Sequence, residues 1–582
     1  MASTTGGQLI ARLLEAEGVE VVFGIIDGTY FGLYSNLARH GIRLITPRHE
    51  TSAVHMAGAY ARMTGKLGVC IASNGPGVAN ALPGVAVENG EGNRVLLITS
   101  ARRTGIGYPD RGGTFQYFNQ VAVTKPMTKW SGAVPSFDRI PELMRRAFRI
   151  SWSRRPGVVH VDVPENIMNG KFKTLPPIPP PERYRRVAPI APQTSDVAGA
   201  AERLARARRP IVHAGSGVVH AFASAPLARV AELLRAPVTT SWGGRGAIAE
   251  TSALAVPMPY TALNDRVRNE ADVVLALGSR IGETDWWGKA PYWRRPDEQA
   301  LIQVDIDEEM LGLNKPVDLA VLADIRVFLE QLAAELERTG VPGSNERESW
   351  IAGIADDRRR TRAKLDEKRA GSGEPVHPAH VPHTCDRFFD DDAVLVIDGG
   401  NTAIWANFYH ECREPGTVLS TFKFGMLGAG VGQALGAKVA RPDKQVYCII
   451  GDGAMGFHPQ EIETAVRNDL PVVYVVMCDR QWGMVKMNQQ FALKPLKTLI
   501  RKSLGPDETI NADLGPIRFD LVAEAMGAHG ERVSRADQLV PALERCLGSG
   551  LPSVVHVDVD PVAHMWAPNL KTFKDMHLEP KG

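Results

Sequence analysis

The segment VYCIIGDGAMGFHPQEIETAVRNDLPVVYVVMCD, 446–479, constrains the fold more than any other. A β-branched run ends on a Gly-Asp-Gly corner, a helical stretch follows over 459–468, and a second β-branched run ends at Asp479. Strands that alternate with helices in this way form a parallel sheet covered on both faces. The pattern recurs along the chain. It runs through VEVVFGI, LGVCIAS, RVLLITS and GVVHVDVP in the first 170 residues, then through RPIVHAG, ADVVLALGSR and LIQVDID, and finally through AVLVIDGG and SVVHVDVD. The 582 residues suffice for roughly three or four domains of about 150 residues each. The expectation is an α/β chain of three consecutive doubly wound domains with mainly parallel sheets. Their spans are 1–172, 194–345 and 383–560, with a proline-rich connector at 173–193, a polar linker at 346–382 and a tail at 561–582; within that linker the first half of the stretch from about Asp356 reads as a charged helix.

Charge and cysteine usage exclude several function classes. Lys and Arg number 67 against 65 Asp and Glu, a net charge of +2, too small an excess for a dedicated nucleic-acid binder. No apolar run approaches the roughly 20 residues that span a bilayer. The N-terminus, MASTTGGQLIARLLEAEG, lacks the basic start and apolar core of a signal peptide. The six cysteines are scattered without a CxxC pair, which reads as reduced thiols. The expectation is a cytoplasmic protein that binds neither nucleic acid nor membrane.

An acidic corner at the carboxyl end of a parallel strand sits where such sheets bind ligands. Asp452 and Asp479 end neighbouring strands and can converge on one Mg²⁺, an ion that takes oxygen ligands and sits on diphosphates. On its own, Asp-Gly is an ordinary turn; the second carboxylate sharpens the reading.

Gly-Asp-Gly, then some 25 to 30 residues, then Asn at a strand end is the signature of thiamine diphosphate (ThDP) enzymes, and this segment resembles it with Asp479 in the last place. The segment Gln481-Trp482-Gly483-Met484-Val485 is similar to one in acetolactate synthases and their relatives, among them benzaldehyde lyases and 2-hydroxyacyl-CoA lyases. Pro47-Arg48-His49-Glu50 with the following AVHMAGAYARMTG resembles the stretch carrying the family's catalytic glutamate. Asn74-Gly75-Pro76-Gly77-Val78-Ala79-Asn80 is similar to its glycine-rich turn, Thr114-Phe115-Gln116 to its Phe-Gln pair, and Phe424-Gly425-Met426-Leu427-Gly428 to the loop under the cofactor. These marks span nearly the whole chain in family order.

The resemblance implies ThDP and Mg²⁺. ThDP acts when its thiazolium C2 loses a proton, becoming a nucleophile and an electron sink. Glu50 would favour the aminopyrimidine tautomer that takes that proton, and Phe115 and Gln116 would stand by the reacting carbonyl. The cofactor would be held by Glu50, Gly75, Pro76, Asn80, Gly425, Leu427, Gly451, Asp452, Gly453, Ala454 and Asp479. The metal would be held by Asp452, Asp479 and the carbonyl of Gln481. The pocket would include Tyr30, Lys129, Trp482 and Met484. Active sites would lie between chains, in a homodimer or homotetramer.

Several positions depart from the acetolactate synthase pattern. Cys478-Asp479 stands where Asn-Asn is usual, and Met487-Asn488-Gln489 replaces a characteristic Trp. An Arg expected after ALGSR is absent from GETDWWGKAPYW. The segment ALAVPMPYTALND argues against FAD, leaving an ADP-like or other nucleotide, with Asp305 near its ribose, or an empty central domain. The implied activity is a C–C lyase or carboligase acting next to a carbonyl, acetolactate-synthase-like on 2-oxo acids and aldehydes. The alternative is a 2-hydroxyacyl-CoA lyase that yields formyl-CoA and an aldehyde or ketone, with Lys571, Lys574 and Lys581 of the tail closing as a lid on a CoA phosphate. A catalytically idle subunit would have lost Glu50 or the Gly-Asp-Gly corner, and this chain keeps both.

Overall fold

The computed structural model describes residues 3–107, 109–367 and 373–580. Three sheets follow one another along the chain, and every strand pair within them is parallel. In spatial order the N-terminal sheet comprises Arg43–Ile45, Val21–Gly24, Gly68–Ala72, Val95–Ala101, Val158–Pro164 and Trp130–Ala133. The central sheet comprises Val238–Thr240, Pro210–Ala214, Val273–Leu277, Ala300–Asp305 and Leu319–Leu322. The C-terminal sheet comprises Val418–Ser420, Val394–Asp398, Val446–Gly451, Val472–Cys478, Ser553–Asp558 and His529–Val533. The central strands are fully buried, as parallel strands under helices on both faces must be. One antiparallel ribbon, Thr4–Thr5 with Lys171–Phe172, ties the chain start to the end of the first unit. No described helix is long and apolar enough to cross a membrane.

The N- and C-terminal units share a core, in which Ala53, Met56 and Ala57 pack with Val431, Ala434 and Leu435. Helix Ala429–Ala440 lies against helix Glu50–Thr64, and glycine allows the close approach: a Cβ on Gly436 would fall 2.3 Å from the Met56 carbonyl oxygen. The proline-rich connector is tied to the N-terminal unit where Arg185 pairs with Glu17 at 3.0 Å.

The expected linker and the expected tail are both structured, and the charged helix read from about Asp356 starts earlier than expected. Much of 346–382 belongs to a 23-residue helix, Asn345–Glu367, that buries Trp350, Ile351, Ile354 and Leu365. Its charged residues mask an apolar stripe, and the buried Arg347 guanidinium donates to the carbonyls of Ala205, Ala207 and Leu234 at the ends of two central-domain helices. Part of that expected linker, 368–372, lies outside the described residues. The tail is likewise packed: His564, Met565, Ala567, Leu570 and Met576 are buried. Lys571 is exposed. The side chain of Lys574 and all of Lys581 lie outside the described residues.

Candidate active site

The sequence-predicted residues fall into two groups. The first is on the N-terminal unit. Glu50 opens its helix, with His49 as the N-cap whose Nδ1 accepts from the Thr51 N–H at 3.2 Å. The Glu50 carboxyl is buried, and its Oε2 accepts from Asn80 Nδ2 at 3.1 Å. Gly75 has φ +67°, and a Cβ there would lie 2.7 Å from the Gln116 carbonyl oxygen. The loop at 114–116 can therefore close only over glycine. Asn74 Nδ2 donates to the Gln116 carbonyl at 2.8 Å, and the Gly75 N–H donates to Gln120 Oε1 at 2.8 Å. Pro76, Asn80 and Gln116 are exposed, and Phe115 is 73% exposed.

Behind this group runs a buried polar chain. Asp162 Oδ1 accepts from Gln120 Nε2 at 2.7 Å and from Thr99 Oγ1 at 2.6 Å. Burial pushes the Asp162 carboxyl up to about 7, against the lowering effect of those two donors.

The second group is on the C-terminal unit. Gly451 ends its strand and Asp452 starts a single helical turn, Asp452–Met455, in which Ala454 is buried. Asp452 Oδ1 accepts from the Gly453 N–H and Oδ2 from the Arg480 N–H, both at 2.8 Å. Asp479 follows the neighbouring strand and is buried. Burial, and next the charge of Asp479, push the Asp452 carboxyl up to about 7. Two adjacent carboxylates in this state are relieved by a bound cation, which favours their ionised forms. Gln481 borders Asp479, its Nε2 donating to Asp479 Oδ2 at 3.1 Å and to the Pro561 carbonyl at 2.7 Å.

Trp482 packs over the corner, so that a Cβ on Gly453 would meet its ring at 2.7 Å. Gly425 (φ +67°) and half-buried Leu427 lie in the loop before helix Ala429–Ala440. That loop is held by Glu91, whose Oε1 accepts the Lys423 and Phe424 N–H groups at 2.8 and 2.9 Å. A cavity of about 660 Å³ opens on Gly399, Gly425, Leu427 and Met484, with Trp242 and Arg280 of the central unit opposite. A smaller one of about 120 Å³, walled by Arg155, Ser216 and Asp305, meets it at Ser216, Gly278 and Arg280. Burial raises the Asp305 carboxyl to about 6.

Two predicted pocket residues lie elsewhere. Tyr30 is in the N-terminal core and its hydroxyl donates to the Ile25 carbonyl. Lys129 Nζ donates to the carbonyls of Ile150 and Ser153 at 2.7 and 2.5 Å, capping helix Ile140–Trp152. A cation at a helix carboxyl end is well placed, so Lys129 is used structurally. Glu50, Gly75, Asn80 and Gln116 do not line the 660 Å³ cavity, and neither do Asp452, Asp479 and Gln481; the segments that carry the two groups meet where the Arg48 N–H donates to Glu461 Oε2 at 3.1 Å.

The sequence reading missed Asn401. It follows Gly399-Gly400 at the end of strand Val394–Asp398, and it is buried with neither Oδ1 nor Nδ2 hydrogen-bonded to protein. A buried amide unpaired at both ends is costly and fits a polar ligand such as a diphosphate. The signal was present, since AVLVIDGGN ends a strand on glycines as IIGDG does.

Three parallel-sheet units, an acidic strand-end corner and a glycine-rich turn beside a buried glutamate define a ThDP-binding enzyme. Residues 4–123, 197–332 and 398–557 match the N-terminal TPP binding domain, the central domain and the C-terminal TPP binding domain of thiamine pyrophosphate enzymes. The chain is 31% identical over 566 residues to the acetolactate synthase large subunit IlvG of Mycobacterium tuberculosis, covering 95% of this chain and 96% of that one. It is 30% identical to the sulfoacetaldehyde acetyltransferase of Castellaniella defragrans, covering 93% and 90%. It is 28% identical to the probable acetolactate synthase large subunit of Methanocaldococcus jannaschii, covering 96% and 92%. The chain belongs to the thiamine pyrophosphate enzyme family and is a ThDP-dependent enzyme of the carboligase and transferase kind.

Proposed function

We propose that this enzyme uses ThDP with Mg²⁺ to decarboxylate a small 2-oxo acid and pass the remaining acyl unit to a second carbonyl compound, as an acetolactate synthase does. When bound, the cofactor supplies a nucleophilic carbon that doubles as an electron sink. Asp452, Asp479 and the Gln481 carbonyl would hold the cation. Gly451, Gly453, Ala454 and the Asn401 amide would face the diphosphate, and Gly425 and Leu427 would support the ring system from below. Glu50, among Gly75, Pro76 and Asn80, would hold and move a proton at the pyrimidine end. The Gln116 amide would donate to the reacting carbonyl oxygen with Phe115 beside it. Trp482 and Met484 would wall the pocket and exclude water, which strengthens these polar contacts.

The observation that carries this reading is the Asp452–Asp479 pair beside the unpaired Asn401 amide, which directly follows Gly399 and Gly400 in the wall of the 660 Å³ cavity. Full-length similarity to proteins named acetolactate synthase supports the donor class. The exposure of Pro76, Asn80, Phe115 and Gln116 supports a homodimer or a dimer of dimers, in which one chain's N-terminal group completes its partner's site. An ADP-type nucleotide would need the smaller cavity beside Asp305 together with the adjoining part of the larger one at Ser216, Gly278 and Arg280.

The test is product analysis by mass spectrometry after reconstitution with ThDP and Mg²⁺. One sample receives pyruvate and the other a 2-hydroxyacyl-CoA. Acetolactate or acetaldehyde from the first is expected; formyl-CoA from the second alone would replace this reading with a CoA-thioester lyase.

A further inference from the structure

Both carboxylate oxygens of Asp479 accept hydrogen bonds. Its Oδ2 is taken by two donors, His564 Nδ1 at 2.6 Å and Gln481 Nε2 at 3.1 Å, while Oδ1 takes a longer 3.3 Å contact from the Gln481 N–H. His564 belongs to the tail, in the helical turn Pro561–Met565, and is buried. Its other ring nitrogen, Nε2, lies 3.1 Å from the hydroxyl of Thr402, the residue after Asn401. A hydroxyl donating to Nε2 places the ring proton on Nδ1, aimed at Asp479, and partners fix a histidine tautomer in this way. The turn is clamped to both ligand corners, because Trp405 Nε1 donates to the His564 carbonyl at 2.9 Å and Gln481 Nε2 to that of Pro561 at 2.7 Å.

We infer that His564 is a positioning residue for the metal: by donating from Nδ1 to Asp479 Oδ2 it turns the carboxylate so that Oδ1 is the cation ligand, and it makes the first turn of the tail part of the metal site. The inference rests on the cation reading of Asp452 and Asp479. It assigns the tail a buttressing role beneath the diphosphate corner, while His577 further along meets Glu283 at the rim of the large cavity.

Mn²⁺ titration in the presence of ThDP, followed by electron paramagnetic resonance, tests this without turnover. His564→Asn places an amide donor where Nδ1 stood; His564→Gln places one where Nε2 stood and abandons Asp479. His564→Gln is expected to weaken Mn²⁺ binding by about 10- to 100-fold, as loss of a partner that orients a metal ligand does, with His564→Asn close to wild type. In an Asp479→Asn background the two variants are expected to bind alike. Equal affinity of His564→Gln and wild type overturns the inference, as does an equal loss in both variants, which would assign the effect to packing or charge. Asp452→Ala separates the two levels: wild-type Mn²⁺ affinity there overturns the cation reading itself.

Discussion

The guanidinium of Arg245 and the carboxylate of Glu250 form two parallel hydrogen bonds of 3.0 Å each, buried where the central and C-terminal units meet. Arg245 also donates to Asn407 Oδ1 at 2.6 Å and the His410 carbonyl at 2.7 Å, and the Cys412 N–H donates to Glu250 Oε2 at 2.9 Å. Asn407 is in the wall of the large cavity, so the pair fixes one side of the candidate site. Arg245→Met strands Glu250 and is expected to cost about 3–5 kcal/mol in urea denaturation, whereas Arg245→Met with Glu250→Leu recovers only part of the loss, because Asn407 Oδ1, the His410 carbonyl and the Cys412 N–H lose their partners.

Asp162 makes stability depend on pH through the N-terminal unit. Its carboxyl is raised from 3.8 to about 7 by burial, so the protonated form is the one the fold favours. Its contribution is fully present below the unfolded value near 4 and is lost as pH rises through about 7. A shift of this size corresponds to about 4 kcal/mol. The stability of Asp162→Asn minus that of wild type is therefore expected to grow between pH 5 and pH 8 in paired denaturation series. A flat difference would remove Asp162 from the pH response.

How much of this was legible in the sequence depended on whether a feature is local. Val446–Gly451 and Val472–Cys478 are continuous apolar runs ending on acids, and period and punctuation suffice to place Asp452 and Asp479 at adjacent strand ends. Lys129 and Tyr30 were misplaced because their partners are backbone carbonyls whose position depends on how a later helix and an earlier loop fold. No residue pattern encodes that. His564 escaped notice for the converse reason: it lies 85 residues from Asp479 in sequence, and only the parallel pairing of Val472–Cys478 with Ser553–Asp558 brings them together. The helix Asn345–Glu367 was partly hidden because its mostly charged sequence buries few apolar residues.

Gly436 sets the distance between the two helices that join the outer units. A methyl group there would lie 2.3 Å from the Met56 carbonyl oxygen and 2.8 Å from its Cα, both backbone atoms that cannot rotate away. Gly436→Ala is expected to cost about 1–3 kcal/mol by overpacking, read as a lower Tm. An unchanged Tm would show that the helices can separate freely.

Glu50→Gln keeps the shape and the hydrogen bond from Asn80 within reach while removing the acid. Proton exchange at C2 of bound ThDP, followed by NMR after a deuterium pulse, is expected to slow by about 10²–10⁴-fold, the usual range for a general acid or base. ThDP affinity, read from tryptophan quenching, is expected to change little. Fast exchange in the variant would exclude Glu50 from proton transfer.

Asn401 separates stability from binding most sharply. Its amide is buried with neither end hydrogen-bonded to protein, a costly arrangement for a polar group. Asn401→Leu replaces the unmet polar group with an apolar one of similar size, so the cofactor-free protein is expected to gain about 1–3 kcal/mol. The same change removes the amide that the proposed site offers the diphosphate, and ThDP binding is expected to weaken by at least about tenfold, since a lost charge-assisted hydrogen bond is worth roughly 1.5–3 kcal/mol. Melting curves with and without ThDP and Mg²⁺ check both at once. The curves for wild type and variant should cross, the variant melting higher when empty and gaining less when loaded; a variant that melts lower in both states would make Asn401 an ordinary core residue.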